Sequence, residues 1–238
     1  MKYRSAAITD IGKIRSENED RFLRDDMLGL FGVADGIGGL PGGTEAAELT
    51  VQAITLGVRQ DGGTSPDLVA ITRTASAAVQ ELGQAINPPF GIGSTLTFGV
   101  FKEGNLHLAH VGDSRAYALR QGVFASLTED HTVENEALAR QARGEKVEIR
   151  PESRNALTRC MGQPGVPEVD YHVFPVSAGD RYLFTTDGIF RMIDDPELAE
   201  ILARADTPDD ALKTMLDLAL ERGGYDNLTA VLLFVDQA

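Results

Sequence analysis

The sequence has one cysteine, no tryptophan and only 6% aromatic residues in 238. A single cysteine cannot close an internal disulfide, so a reducing compartment fits and stability has to come from a packed core. Lys and Arg number 22 against 36 Asp and Glu, a formal net charge of −14. A chain this poor in positive charge lacks the basic footprint that nucleic acid or an anionic membrane requires. The longest unbroken apolar run, at 230–235, is far short of the roughly 18 residues of a membrane span. The first twenty residues carry no apolar stretch of the secretory kind. These absences imply a cytoplasmic protein with no nucleic-acid and no membrane partner. There is also no G-x-x-x-x-G-K-[ST] and no G-x-S-x-G, which excludes a P-loop hydrolase and a serine-hydrolase elbow.

Present instead is an ordinary globular composition, 42% hydrophobic with 25 Gly and 10 Pro, long enough to bury a substantial core. Ala47, Val51, Ile54 and Val58 recur at helical spacing, as do Leu68, Thr72, Ala75, Val79, Leu82 and Ile86. The second of these helices follows Ser65-Pro66, a cap-then-proline start. Two more helices are expected at 196–205 and 208–222. Short runs rich in apolar, aromatic and β-branched residues at 30–34, 96–100, 106–111, 116–119, 169–173, 182–185 and 228–235 read as strands. Gly104-Asn105, Asp113-Ser114 and Gln121-Gly122 read as hairpin turns, making the strands mostly antiparallel. The expected class is α+β, with helices layered on sheets.

One pattern recurs. Strand-like runs lead into Asp35-Gly36, Asp113-Ser114 and Asp187-Gly188, and Asp226-Asn227 leads into the last strand. Asp-Gly and Asp-Asn are common turn dipeptides, which is the plain reading of any one of them. In an antiparallel sheet, however, strand ends and strand starts share an edge, so all four carboxylates could converge. Two carboxylates about 4 Å apart repel by roughly 4 kcal/mol at an effective dielectric near 20, so such a cluster needs protons or cations. Oxygen ligands without a Cys/His set select Mg²⁺ or Mn²⁺. The segment RSENED at 15–20 adds Arg15, whose fork suits a phosphate, beside Glu19 and Asp20. Acids for metals next to an anion-binding arginine suit metal-assisted phosphoester hydrolysis.

In order along the chain, the blocks RSENED (15–20), VADGIGG (33–39), GSTLT (93–97), HVGDSR (110–115), LTEDH (127–131), RNALTR (154–159), TTDG (185–188) and DNLTAV (226–231) resemble those of the metal-dependent protein serine/threonine phosphatases of type 2C, in their compact bacterial form. The resemblance implies a four-layer α-β-β-α sandwich, two antiparallel sheets flanked by antiparallel helix pairs. It implies one domain over 1–238 with a flap at about 131–155. The activity implied is hydrolysis of phosphoserine and phosphothreonine in proteins by a water activated at a binuclear Mn²⁺ or Mg²⁺ centre. Carried over residue by residue, Asp35 bridges the metals, the Gly36 carbonyl binds the second, and Asp187 and Asp226 complete the first. Glu19 and Asp20 support the site, Asp113 is associated with a third, weaker ion, and Arg15 binds the phosphate. The expected partners are phosphorylated proteins opposed to a cognate Ser/Thr kinase, and the expected state is a monomer.

Ile37 departs from relatives that carry a histidine there as general acid. A metal-bound water or His131 is left for that role, with a structural or capping role for His131 as the alternative. His107 and His110 share a strand face and read as sheet residues. Val133, Ala137, Leu138 and Ala142 suggest a short helix in the flap, where Arg140, Arg143 and Lys146 either guide a phosphorylated segment or form a solvated face. Cys160 reads as a small buried hydrophobe. The competing reading is an inactive binding module of the same fold, which the presence of Asp35, Asp187 and Asp226 argues against.

Overall fold

A computed structural model of the chain describes residues 1–38, 41–62 and 66–237. Among the described residues ten strands form two five-stranded sheets. The first contains β1 (Lys2–Asp10), β10 (Leu228–Gln237), β9 (Arg181–Thr185), β6 (Arg115–Arg120) and β7 (Val123–Ser126), in that order across the sheet. The second contains β2 (Asp20–Asp25), β3 (Leu30–Asp35), β4 (Leu96–Lys102), β5 (Asn105–Val111) and β8 (Asp170–Pro175). Every named pairing is antiparallel. Helices α1 (Gly43–Asp61) and α2 (Leu68–Ile86) lie on the second sheet, and α5 (Asp195–Arg204) and α6 (Pro208–Glu221) on the first. This is the expected α-β-β-α sandwich.

The layering follows from period-two alternation in strands buried on both faces. Along β10, Ala230, Leu232 and Phe234 join the core beneath α5 and α6, while Val231, Leu233 and Val235 join Phe31, Val33, Tyr182 and Phe184 between the sheets. On the other side, Leu30, Leu96, Phe98 and Val100 pack under Ile54, Leu68 and Ala75 of the first helix pair. Deep apolar burial of this kind, about 25 cal/mol per Å², holds both sheets rigid and fixes where their ends lie.

Local signals set the boundaries. Asp194 and Glu197 form a reciprocal capping box at α5, and the Thr207 hydroxyl accepts from the Asp210 N–H at α6. The cap of α2 is Asp67, which accepts from the Ala70 N–H, two residues beyond the expected Ser65. Ser65 and Gly39 lie outside the described residues. The hairpins at 104–105 and 121–122 form as expected. Asp113-Ser114 does not: β5 and β6 belong to different sheets, so this turn is a crossover. The sequence reading also omits β1, β2 and β7.

The excursion after Thr128 leaves at His131 and carries α3 (Val133–Ala142), a glycine turn at Gly144 and a short 3-10 turn over Pro151–Ser153. Its neck is closed by the Thr158 N–H on the His131 carbonyl and the Val133 N–H on the Ala156 carbonyl. Within it Arg140 and Arg143 both pair with Glu145, so two of its three expected guiding cations are engaged locally.

Candidate metal centre

The acids come together from two sheets rather than along the edge of one. In the second sheet Asp35 ends β3 directly opposite Asp20, the first residue of β2, and Asp113 follows β5. In the first sheet Asp187 follows β9, and Asp226 precedes β10. Because the sheets stack with these ends on the same side, Arg15, Glu19, Asp35, Gly36, Asp113, Asp187 and Asp226 line one cavity of about 480 Å³. Asp20 stands behind them, accepting from the Thr186 hydroxyl at 2.8 Å.

The loop after β3 is shaped by close approach. A side chain at Gly36 would meet the Gly43 carbonyl oxygen at 2.3 Å, and one at Gly43 would push against the Glu19 carboxylate at 2.2 Å. Glycine is needed at Gly36, where backbone meets backbone, whereas at Gly43 a side chain would displace the Glu19 carboxylate from the site. The Asp35 N–H donates to the Thr95 hydroxyl at 3.0 Å, and the Thr95 N–H donates back to the Asp35 carbonyl. Asn227 staples the N-terminal segment to the site: its Oδ1 accepts from the Glu19 N–H at 2.9 Å, and its Nδ2 donates to the carbonyls of Ile11 and Glu17.

Electrostatically the cluster is starved of positive charge. Arg15 donates to Asp226 at 2.7 Å, and Arg191 reaches Asp187 at 2.9 Å. Burial, with the charges of Asp187 and Asp226 behind it, pushes the Asp20 carboxyl up to about 7. Burial and Asp187 do the same to Asp113, also to about 7. Asp35 is held well above the carboxylate range by burial and then by the charges of Asp20, Asp187, Asp113 and Asp226. Burial and Asp226 raise Asp187, against the opposing pull of Arg191. Burial also raises Glu19. These are the shifts of like charges crowded in a dry site.

The residues fit hard divalent cations. The donors are carboxylate and carbonyl oxygens, and Asp20 Oδ1 is buried with no hydrogen-bond partner among the described residues, the kind of orphan that calls for a cation or water. Six carboxylates against the guanidinium groups of Arg15 and Arg191 leave four formal negative charges, which two divalent ions would balance. Among the described residues no three His, Cys, Asp or Glu side chains form a closed ligand set, and two of the acids, Asp226 and Asp187, are paired with Arg15 and Arg191.

Other residues depart from expectation. His131 is buried away from the cavity: Nδ1 accepts from the Gly112 N–H at 3.1 Å, and Nε2 faces Asp170 at 3.2 Å and Arg159 at 3.2 Å. Its role is structural, and the alternative of proton donor fails on position. It is not the helix cap either, since the Thr132 hydroxyl caps α3. His107 and His110 are buried sheet residues as expected, bonded to Tyr171 and Thr97, but three positions apart along β5 they stand on opposite faces rather than on one. Cys160 is half-buried and lines the cavity beside Ile37, with Asn155, Ala156 and Leu157 completing that wall. Arg191, Asn227 and Thr186 are the functional neighbours that sequence reasoning did not single out. Arg191 stands four residues after Asp187 at the end of a single helical turn, the one signal that could have found it.

The chain matches the family described as protein phosphatase 2C over residues 15–232. It is 30% identical to the serine/threonine phosphatase stp of Listeria innocua, across 94% of this chain and 93% of that protein. Among solved structures, the serine/threonine phosphatase of S. agalactiae superposes with a TM-score of 0.87 at 30% identity, covering 98% of this chain and 100% of that one. The catalytic domain of the serine/threonine protein phosphatase PstP, solved in complex with two manganese ions, superposes with a TM-score of 0.82 at 32% identity, covering 98% and 99%. With the sandwich, the acid-lined cavity and these likenesses in agreement, the chain belongs to the protein phosphatase 2C family.

Proposed function

We propose that this chain is a metal-dependent protein serine/threonine phosphatase that hydrolyses phosphoserine and phosphothreonine in proteins at a binuclear Mn²⁺ or Mg²⁺ centre. The observation that carries the reading is the convergence of buried carboxylates from both sheets on one cavity beside Arg15. Asp35 would be held in common by both ions, the Gly36 carbonyl would serve the second, and Asp187 and Asp226 would serve the first. Glu19 and Asp20 would support the surrounding water, and Asp113 borders the site. Bound there, two divalent ions supply a water of lowered pKa and polarise the phosphoryl oxygens.

The protein's own part is positioning. Rigid strand ends set the spacing of the ligands, and Asn227 and Thr186 hold Glu19 and Asp20 in place. Arg15, now on Asp226, presents a fork for the phosphoryl oxygens. Ile37 is apolar and supplies no proton to the leaving alkoxide, and His131 is out of reach, so that proton comes from solvent within the cavity.

We read the chain as one domain with residues 131–155 as a flap, and the segment on which it returns, Asn155, Ala156 and Leu157, walls the cavity and controls access to it. Among the described residues no helix is long and apolar enough to cross a membrane. We further propose a cytoplasmic monomer acting on the products of a cognate Ser/Thr kinase, without a membrane partner and, given a net charge of −14, without a nucleic-acid partner. The test is release of inorganic phosphate from a phosphothreonine peptide: it is expected with Mn²⁺ and not with chelator. An absence of turnover with either Mn²⁺ or Mg²⁺ refutes the reading in favour of a binding module.

A further inference from the structure

The acid-lined cavity contains a cation whose placement goes beyond pairing with its own helix. Arg191 reaches back to Asp187 Oδ2 at 2.9 Å and across to Asp113 Oδ2 at 3.5 Å. These carboxylates stand at the ends of different sheets, Asp113 after β5 and Asp187 after β9, so one side chain spans the join between the layers. Its backbone is anchored too, the Arg191 N–H donating to the Asp187 carbonyl at 2.9 Å. Among the described residues it is the one cation in salt-bridge range of Asp113, a residue only 7% exposed.

A guanidinium and a divalent ion compete for the same carboxylate oxygens. A guanidinium cannot deprotonate, and one tethered to its own helical turn acts at high effective concentration. An ion settling between Asp113 and Asp187 has either to displace Arg191 or to sit against its charge. With Arg15 and Arg191 counted, two divalent ions already balance the six carboxylates, and a third would leave the cavity positive.

We propose that Arg191 is a built-in counter-cation for the Asp113–Asp187 pair, taking there the part a further divalent ion would take, so that the chain binds two ions and resists a third. The inference rests on the binuclear reading above. It makes Arg191 a positioning residue: it ties the Asp113 crossover to the first sheet whatever the metal concentration.

The experiment is a Mn²⁺ titration of the full chain by calorimetry, with bound manganese counted after gel filtration, thermal unfolding being followed to show that each variant is folded. Wild type binds two ions. R191Q gains a third, about tenfold or more tighter than any further binding by wild type; R191K stays at two, and R191Q/D113N returns to two. D113N in the wild-type background, which keeps Arg191, leaves the count unchanged and serves should R191Q fail to fold. Equal stoichiometry and affinity in wild type and R191Q, a third ion that survives D113N, or loss of an ion in D113N alone each overturn the proposal. A wild-type chain that binds no Mn²⁺ overturns the binuclear reading and the proposal with it, whereas two ions in wild type with R191Q unchanged overturns the proposal alone.

Discussion

The two ends of strand β9 carry buried aspartates of opposite character. Asp180, just before the strand, and Asp20, beside its far end, are each 2% exposed. Asp180 is saturated: Arg120 donates from Nη2 at 2.6 Å and from Nε at 3.1 Å, the Tyr182 hydroxyl at 3.0 Å and the Ser177 N–H at 2.8 Å. Asp20 has one threonine hydroxyl on one oxygen and nothing on the other, with Asp35 directly across the ladder. Burial alone therefore does not mark a functional acid. The buried acid whose charge is answered within the protein holds the fold together, and the one whose charge is not answered awaits a ligand.

The largest effect should come from exchanging charge for amide on each side of the comparison, at Asp35, which faces Asp20 across the ladder, and at Asp180. Asp35→Asn is expected to lower phosphatase kcat by about 10³-fold or more while leaving the fold intact, since it removes repulsion rather than support. Asp180→Asn is expected to do the reverse, costing about 2–3 kcal/mol of stability with kcat nearly unchanged. Steady-state kinetics and urea unfolding of both variants check this, and a D35N enzyme with substantial Mn²⁺-dependent turnover breaks the comparison.

Next in size is the response to metal. Saturating Mn²⁺ should stabilise wild type by about 2.7 kcal/mol at a hundredfold excess over Kd, read as a rise in Tm that chelator reverses. D180N should keep the shift and D35N should lose most of it. An unchanged Tm in chelator at low salt means the acids are not crowded as described.

A third effect is on pH. Asp113 titrates at about 7 in the folded protein against 3.8 for the ordinary carboxyl, so the folded state holds its proton more tightly than the unfolded chain does. Its contribution is present in full below pH 3.8 and is lost as pH rises through 7, with a slope of about 1.4 kcal/mol per pH unit at the steepest. In chelator, Asp113→Asn should flatten that fall between pH 5 and 7.5. Urea midpoints of the two proteins across this range are the measurement, and parallel curves would show that Asp113 is not the buried acid responsible.

Much of the architecture was legible because burial imposes a period. The apolar spacing of α2 and the run of β10 could be read directly, since each packs against a core along its whole length. Strand β7 escaped notice because its four residues are largely exposed, and β1 because only Ala6 along it is fully buried, so neither carries a strong pattern. Asp113-Ser114 was misread because turn chemistry is the same in a hairpin and in a crossover. What separates the two is the sheet that β6 joins, which its pairing with β9 decides.

The sequence by itself pointed to four of the carboxylates that line the cavity, Asp35, Asp113, Asp187 and Asp226, because each sits beside the end or the start of a strand. Only the tertiary structure decided that they meet. Two sheets stacking through Phe31, Val33, Phe184 and Val231 bring Asp35 and Asp113 to Asp187 and Asp226, a distance relation that no spacing along the chain encodes. The same packing decided that Asp180 would find an arginine, that Asp20 would not, and that Arg191 would stand between Asp113 and Asp187. Residue type sets the charge a side chain carries, but the answering charge comes from elements far away in sequence, and the packing of apolar faces selects those.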